Sequence, residues 1–151
     1  MFSFNIIVPM DSLSPQQRHF AMQQVKSEDT TPEKIVRSYL HKQGFRYRLH
    51  VKSLPGKPDI VLPKYRTIID VRGCFWHQHV SPTCTRNKSP KAHSGYWSEK
   101  FKKNVERDKQ HERDWRALGW KVIVVWECEA SSEATLRKIV RRLKAQKNKL
   151  Q

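Results

Sequence analysis

Cysteine and acidic residues are scarce in this sequence, and long apolar runs are missing from it. Only three of the 151 residues are cysteine, and 14 are Asp or Glu against 30 Lys or Arg, for a formal net charge of +16. Three thiols cannot all pair as internal disulfides, which argues against a secreted, disulfide-stabilised domain. The apolar segment 2–8 is too short for a signal peptide and stops at Pro9, and no other run approaches a membrane span. These shortages predict a cytoplasmic protein, and Met10 is an alternative start.

The positive charge is spread over the whole chain. With a pI of about 10.1, the surface attracts polyanions, of which nucleic acid is the commonest. The plain alternative is a soluble cationic protein without such a partner. Five tryptophans accompany the charge, and aromatic side chains that stack on bases or wedge between them are what DNA-binding proteins add to a basic surface. We therefore expect a nucleic-acid-binding protein.

The length allows one domain. At 151 residues the chain can form one core of its own but not two separate ones. We expect the domain to occupy residues 31–151. Residues 1–30 are expected to form an N-terminal arm, helical between Ser12 and Lys26, with residues 1–9 as a candidate disordered lead.

Turn residues and apolar patterns divide residues 31–151 into helices and strands. Thr31 as an N-cap before Pro32, and Gly44 further on, are typical of the two ends of a helix. The predicted elements are a helix over 31–43, strands over 45–49, 60–62 and 66–71, a loop over 81–95, a helix over 96–118, a strand over 121–126 and a helix over 132–147. This order predicts an α/β fold with a mixed β-sheet flanked by α-helices. The restriction-endonuclease-like core, which carries the PD-(D/E)xK motif, has this architecture.

A metal-ligand pattern begins in the run GCFWHQH. Cys74, His79 and Cys84 are spaced C-x4-H-x4-C, and Cys128 is the only other cysteine. Three thiolates and one imidazole complete a tetrahedral zinc site with no thiol left over. His77 is an alternative fourth ligand, because the spacing alone does not separate the two imidazoles.

Two carboxylates lie beside the predicted hairpin strands. Pro58-Asp59 comes before the first strand and Asp70-Val71-Arg72 ends the second, a pattern that resembles PD-(D/E)xK. Two carboxylates and the backbone carbonyl between them can hold Mg2+ against a scissile phosphate. Such short patterns more often mark turns and surface acids. Asp70, however, interrupts an otherwise apolar strand, and a buried carboxylate is costly unless it is paired or binds a metal ion.

Between the candidate zinc ligands lie one more imidazole and two large aromatics. A neutral His77 on a rigid loop near the Asp70 strand is a plausible base for activating water, although it could also merely fill the loop. Phe75 and Trp76 could pack a core, as aromatics usually do. On a tight, polar, metal-bound loop we favour an exposed role for them.

Four segments together resemble one protein family. GCFWHQH, with LPGKPDIVL before it and YWSEKFKKNVERD and GWKVIVVWEC after it, is similar to the very short patch repair endonucleases, the Vsr family. The resemblance runs in order and spacing from about Thr30 to Cys128. It implies a monomeric, Mg2+-dependent endonuclease that nicks duplex DNA 5′ of the thymine in T/G mispairs, which arise when 5-methylcytosine deaminates. It also implies a cytosine-5 DNA methyltransferase and mismatch-repair proteins as functional partners, no membrane, and a bacterial, nucleoid-associated location.

The resemblance also implies roles for individual residues. Asp59 matches the family's metal-binding aspartate, and Val71 falls where a backbone carbonyl is a further ligand. His77 matches the general base, Asp108 an acid that orients His77, and Glu33 a supporting acid.

The resemblance further implies a set of zinc ligands and a set of aromatic residues that contact DNA. The structural zinc ligands align with Cys74, His79, Cys84 and Cys128. The aromatics that wedge beside the mispair from the major groove align with Phe75, Trp76 and Trp97. The N-terminal arm would clasp the opposite groove.

This chain departs from the family pattern at two positions and in one spacing. Where the best-known members carry a non-acidic residue and a second histidine, this chain has Asp70 and Arg72. Asp70 would give the site two metal-binding carboxylates, and Arg72, which cannot act as a base, can stabilise phosphate charge. The interval to Cys84 is longer than usual in the family.

Two rival functions share parts of this pattern. One is a restriction or strand-nicking endonuclease acting on matched DNA, which has no use for wedging aromatics. The other is a zinc-stabilised DNA-binding module whose active site has decayed at Arg72. Asp59, Asp70, Glu33 and His77 together argue against decay, because buried carboxylates are costly without a cation.

Overall fold

A four-stranded mixed sheet lies at the centre of the protein, with its strands in the order β1-β2-β3-β4. The structure is a computed structural model that describes residues 13–91 and 94–150. β1, β2 and β3 pair antiparallel, whereas β3 and β4 are parallel. In these ranges the elements are α1 Pro15–Gln23, α2 Thr31–Lys42, β1 Arg48–Leu49, β2 Ile60–Leu62, β3 Thr67–Arg72, α3 Ser94–Ala117, β4 Lys121–Trp126 and α4 Glu133–Leu150. The predicted mixed α/β class is confirmed.

The predicted arm is described only in part. Within it, α1 follows the N-cap Ser14, whose hydroxyl accepts a hydrogen bond from the Gln17 backbone N–H. None of its residues is buried. The candidate disordered lead at residues 1–9 lies outside the described residues. Among the helices that are described, none has the length and apolar character of a membrane span.

The β2–β3 hairpin brings the two predicted carboxylates to one end. A 3-10 turn at Pro63–Tyr65 and a left-handed Arg66, at φ 46°, connect the strands. Ile60 then pairs with Ile69. Asp59, just before β2, and Asp70, within β3, therefore lie at the same edge of the sheet.

Alternate strand residues face opposite layers of helices, as the pleat of a sheet requires. One face of the sheet packs against α2 and α4 in a core formed by Val36, Leu40, Ile60, Leu62, Ile69, Ile123, Val125, Leu136, Ile139 and Leu143. The other face packs against α3 through Val61, Ile68, Val122 and Trp115. Helices thus cover both faces, and α3 is the crossover between the parallel strands β3 and β4.

Three predicted boundaries were wrong. Residues 45–49 were expected to be a strand, but β1 is only Arg48–Leu49. Phe45 instead belongs to the end of α2: its N–H bonds to Leu40 O, while Gly44, at φ 83°, bonds to His41 O. This is the Schellman arrangement, which buries the residue after the glycine; Phe45 is accordingly 3% exposed.

The other two differences are shifts of a helix start. The N-cap of α2 is Thr30 and not Thr31. The long helix α3 begins at Ser94, inside the segment that was predicted to be a loop.

Candidate active site and metal centre

A cleft of about 650 Å3 opens at the hairpin end that carries the carboxylates. Its walls come from the N-terminus of α2, the middle of α3 and the segment that follows α1. The predicted site residues that line it are Glu33, Asp59, Asp70, Val71, Trp76, His77 and Asp108. Arg72 is not among its lining residues.

Asp59 is fixed to the edge of β3. Its Oδ2 accepts a hydrogen bond from Val71 N–H, with an N···O distance of 2.8 Å. Burial and the nearby charge of Asp70 raise the pKa of Asp59 to about 8. In a strand the N–H and C=O of one residue face the same neighbour, so the Val71 carbonyl is directed to the side of Asp59. Two carboxylates and a carbonyl here form a donor set of hard oxygens, which is the kind of site that Mg2+ prefers.

Asp70 has a cation on its own strand. Arg72 Nε donates to Asp70 Oδ2 at 2.7 Å, and Arg72 Nη2 donates to Glu112 Oε2 at 3.4 Å. Burial raises the pKa of Asp70, although the guanidinium opposes this shift. The Arg72 side chain is only 11% exposed.

The structure places His77 beside Asp108 and away from the cysteines. His77 Nδ1 and Asp108 Oδ2 form a short hydrogen bond. A carboxylate partner makes Nδ1 the N–H donor and leaves Nε2 with the lone pair that a base requires. The loop that carries His77 is held by Asn104, whose Nδ2 donates to Trp76 O at 3.0 Å. His77 therefore has the geometry of an oriented base in the cleft.

Cys74, His79, Cys84 and Cys128 come together as one cluster, with their ligand atoms all within 4.8 Å of one another. His79 Nδ1 lies 3.6 Å from Cys74 Sγ and 3.4 Å from Cys128 Sγ. Tetrahedral bonds of about 2.3 Å to sulfur and about 2.0 Å to nitrogen would separate such atoms by about 3.5 Å. The four residues thus fit a structural zinc ion, and the long interval to Cys84 does not keep its thiol out of the cluster.

Two neighbours brace this cluster. The His79 ring stacks on Trp126 with centroids 4.2 Å apart. The Cys74 backbone N–H donates to Glu127 Oε2 at 3.3 Å. Both Trp126 and Glu127 come from the end of β4, so the cluster connects the ends of the parallel strands β3 and β4.

Glu33 is 2% exposed and its carboxylate is fully engaged. It accepts hydrogen bonds from Thr30 Oγ1 at 2.8 Å and from Asp29 N–H at 3.1 Å. Arg37 Nη2 lies 2.6 Å from Glu33 Oε2, and the same guanidinium also bonds to Asp29 and His50. Arg37 is thus an internal cation for the group Asp29, Glu33 and His50. Glu33 anchors the start of α2 in the cleft wall.

The three predicted DNA-contacting aromatics form one cluster, but at different depths. Phe75 and Trp76 are half-buried and meet edge to face, with ring centroids 4.8 Å apart. Trp97 is 1% exposed, and its ring lies 5.7 Å from that of Phe75. In this structure Trp97 has no surface for a base and supports Phe75 and Trp76 from below. Its predicted direct contact with DNA does not match this burial.

Some residues of the site were missed by sequence reasoning. Asn104 holds the loop, Glu112 contacts Arg72, and Glu127 contacts Cys74. Asn104 and Glu112 lie four residues before and after Asp108, so the three share one face of α3. Because this polar stripe has helical spacing, Asn104 and Glu112 could have been predicted from the sequence to lie beside Asp108.

A fourth missed residue, His111, packs on the turn before Asp59. A Cβ at Gly56, which has φ 67°, would lie 2.3 Å from His111 Nδ1. Only glycine therefore allows this approach, and both residues line the cleft. The Gly56–His111 contact fixes the turn that delivers Asp59.

Comparisons with known proteins agree with this geometry. The family model described as DNA mismatch endonuclease Vsr matches residues 10–84. The Type II nicking enzyme V.XorIIP of Xanthomonas oryzae pv. oryzae is 50% identical over 134 residues, which cover 86% of this chain and 96% of that protein. The Type II nicking enzyme V.NmeAIP of Neisseria meningitidis is 44% identical, over 88% of this chain and 93% of that protein. The DNA mismatch endonuclease Vsr of Escherichia coli is 43% identical, over 71% of this chain and 67% of that protein.

Proposed function

Because the chain belongs to the Vsr family of DNA mismatch endonucleases, we propose that it nicks duplex DNA 5′ of the thymine in T/G mispairs left by 5-methylcytosine deamination. The observation that carries this proposal is the shared cleft, in which Asp59 and Asp70 lie with the His77–Asp108 pair beside Trp76. The residues that would bind the metal, act as the base and probe the base pair thus line one cleft.

Asp59, the Val71 carbonyl and Asp70 would hold Mg2+, and Asp59 with Asp70-Val71-Arg72 would be the PD-(D/E)xK motif of this chain. When bound, the ion supplies a positive charge that polarises the phosphoryl oxygen and neutralises the charge of the transition state. Burial of the carboxylates and the raised pKa of Asp59 support this assignment, since both favour occupation by a cation.

His77 would take the proton from the attacking water. Asp108 keeps the His77 ring in the tautomer with Nδ1 protonated and stabilises the imidazolium that forms. The zinc cluster on the same loop would fix the position of His77. Glu33 would support the site indirectly, because its carboxylate is occupied by the α2 N-terminus and Arg37.

Phe75 and Trp76, supported by Trp97, would test how easily a base step opens. A T/G wobble pair is weaker than a matched pair, for which unstacking costs on the order of a few kcal/mol. The segment that follows α1 forms one wall of the cleft, which supports a role in DNA binding for the arm at 1–30 beside the endonuclease domain at 31–151. The protein would act as a monomer near the nucleoid, alongside a cytosine-5 methyltransferase and mismatch-repair proteins.

Nicking of matched DNA is the second candidate function. It is favoured by the names of two relatives, which are 50% and 44% identical and are called Type II nicking enzymes. The two functions share the metal chemistry and differ in the need for a mispair.

The deciding experiment compares cleavage of one duplex with T/G or C/G at the same position, over a Mg2+ titration. We expect a nick only in the T/G duplex, and only with the metal. Asp59→Ala and His77→Ala should bind that duplex without cutting it. Equal cleavage of both duplexes would favour the second candidate, and normal cutting by both variants would refute the site.

A further inference from the structure

Arg72 lies between two carboxylates from different elements. Its Nε bonds to Asp70 on β3 at 2.7 Å, and its Nη2 reaches Glu112 on α3 at 3.4 Å. The guanidinium carbon lies 6.0 Å from the centre of the Trp126 ring on β4. The side chain is thus held from three sides and is 11% exposed.

Asp70 and Arg72 relate to the cleft in different ways. Asp70 lines it, whereas Arg72 does not. Arg72 bonds to Oδ2 of Asp70, and no described side chain bonds to Oδ1. The guanidinium therefore contacts a carboxylate that lines the cleft without lining the cleft itself.

We propose that Glu112 and Arg72 are positioning residues that fix Asp70 as a metal ligand. Glu112 holds Arg72, Arg72 holds Oδ2, and Oδ1 is left to face a divalent cation. This inference rests on the proposed function, because it assumes the Mg2+ site at Asp59 and Asp70. It assigns Arg72 to the support of the metal site, in place of direct stabilisation of phosphate charge.

In this arrangement α3 supports both the proposed base and the proposed metal site. Asp108 orients His77, and Glu112, one turn later, orients Arg72. A guanidinium suits this place because its planar fork can bond to two carboxylates at once, which a lysine ammonium does with less directional control. Partners behind a metal ligand typically contribute about 10- to 100-fold to metal affinity.

The test measures binding of Mn2+, as a substitute for Mg2+, to zinc-loaded protein without DNA by isothermal titration calorimetry. We expect Arg72→Met to weaken Mn2+ binding about 10- to 100-fold, and Glu112→Gln to weaken it less. Arg72→Lys should recover part of the loss. The matched control is Arg116→Met, which removes the other partner of Glu112, 2.8 Å away, and should leave affinity unchanged.

The combined variant R72M/E112Q should bind Mn2+ no more weakly than R72M alone, because Glu112 acts only through Arg72. Unchanged Mn2+ affinity in R72M, with a lower kcat, would overturn the inference and assign Arg72 to the phosphate. If R72M fails to fold, R72K and E112Q decide the same question. Failure of the proposed function looks different: the unaltered protein would bind no Mn2+, or Asp59→Ala would bind it normally.

Discussion

Asp59 carries an energetic cost that depends on pH. The pKa of its carboxyl is about 8 in the folded protein, against about 3.9 in an unfolded chain. Between these pH values the folded state holds a proton that the unfolded state has released. This contribution to stability is complete below pH 4 and is lost as the pH rises through 8.

Asp59→Asn should therefore stabilise the metal-free protein at pH 8 while abolishing nicking. Removing the buried charge should raise the free energy of unfolding on the order of 2 kcal/mol, which is several degrees in Tm. Thermal melting at pH 5 and pH 8 measures it, and the gain should be larger at pH 8. Asp29→Asn is the control and should lower the Tm. Arg37 lowers the pKa of Asp29, so this substitution removes a stabilising charge. A lower Tm for D59N at pH 8 would contradict this account of Asp59.

At the scale of single residues, the sequence predicts some features of the site but not those that depend on distant contacts. The spacing of Pro58-Asp59 and of Asp70 identified the acids correctly as neighbours, because a hairpin brings its ends together. It could not decide between His77 and His79, since both are imidazoles on one loop. Contacts with distant segments separate them: His77 with Asp108 on α3, and His79 with Cys128 after β4. The burial of Trp97 could not be predicted for a related reason, because an aromatic residue's depth depends on the rings packed above it.

At the scale of elements, the loop that carries Cys74 and His79 acts together with α3 on His77. The cluster of cysteines and His79 holds both ends of the 74–79 turn, and Asn104 and Asp108 hold its middle. The charged helix predicted over 96–118 corresponds to α3, apart from its start at Ser94. The Schellman end of α2 was missed, because an apolar residue after a glycine also reads as the start of a strand.

Cys84→Ser should release zinc and lower both stability and activity. Because a closed zinc site contributes directly to folding, we expect a Tm lower by several degrees, a zinc content near zero and at least a tenfold slower nicking rate. Metal analysis, thermal melting and the T/G assay measure these three. Ser81→Ala, in the same loop but outside the cluster, is the control. A variant that keeps its zinc would exclude Cys84 as a ligand.

At the scale of the whole molecule, DNA binding depends more on where the positive charges lie than on the net charge. Cations line the cleft at Lys57, Lys100 and Arg107. Others, such as Lys138, Arg141 and Arg142, are exposed on α4, which packs on the sheet face opposite α3. A net charge of +16 attracts DNA from any side, but only cations in contact with phosphates release counterions.

Replacing Lys57, Lys100 and Arg107 by Gln should therefore reduce the salt dependence of DNA binding. Each lost phosphate contact lowers the slope of log K against log salt by about 0.9. The matched triple variant on α4, at Lys138, Arg141 and Arg142, should change the slope much less. Fluorescence anisotropy with a T/G duplex, at salt concentrations from about 50 to about 300 mM, measures this slope for both triple variants and the unaltered protein. Equal changes would mean that DNA does not bind at this cleft.

The parallel pairing of β3 with β4 has a consequence for how the chain folds. The β2–β3 hairpin is local in sequence, whereas the pairing of Asp70 with Val124 joins residues on either side of α3, and long-range pairings form more slowly than local ones. Cys74 and Cys128 follow these two strands, so we expect the candidate zinc ligands to meet late in folding. Thiol protection should then follow the slowest refolding phase, and a newly synthesised chain would acquire its zinc only once the crossover is complete.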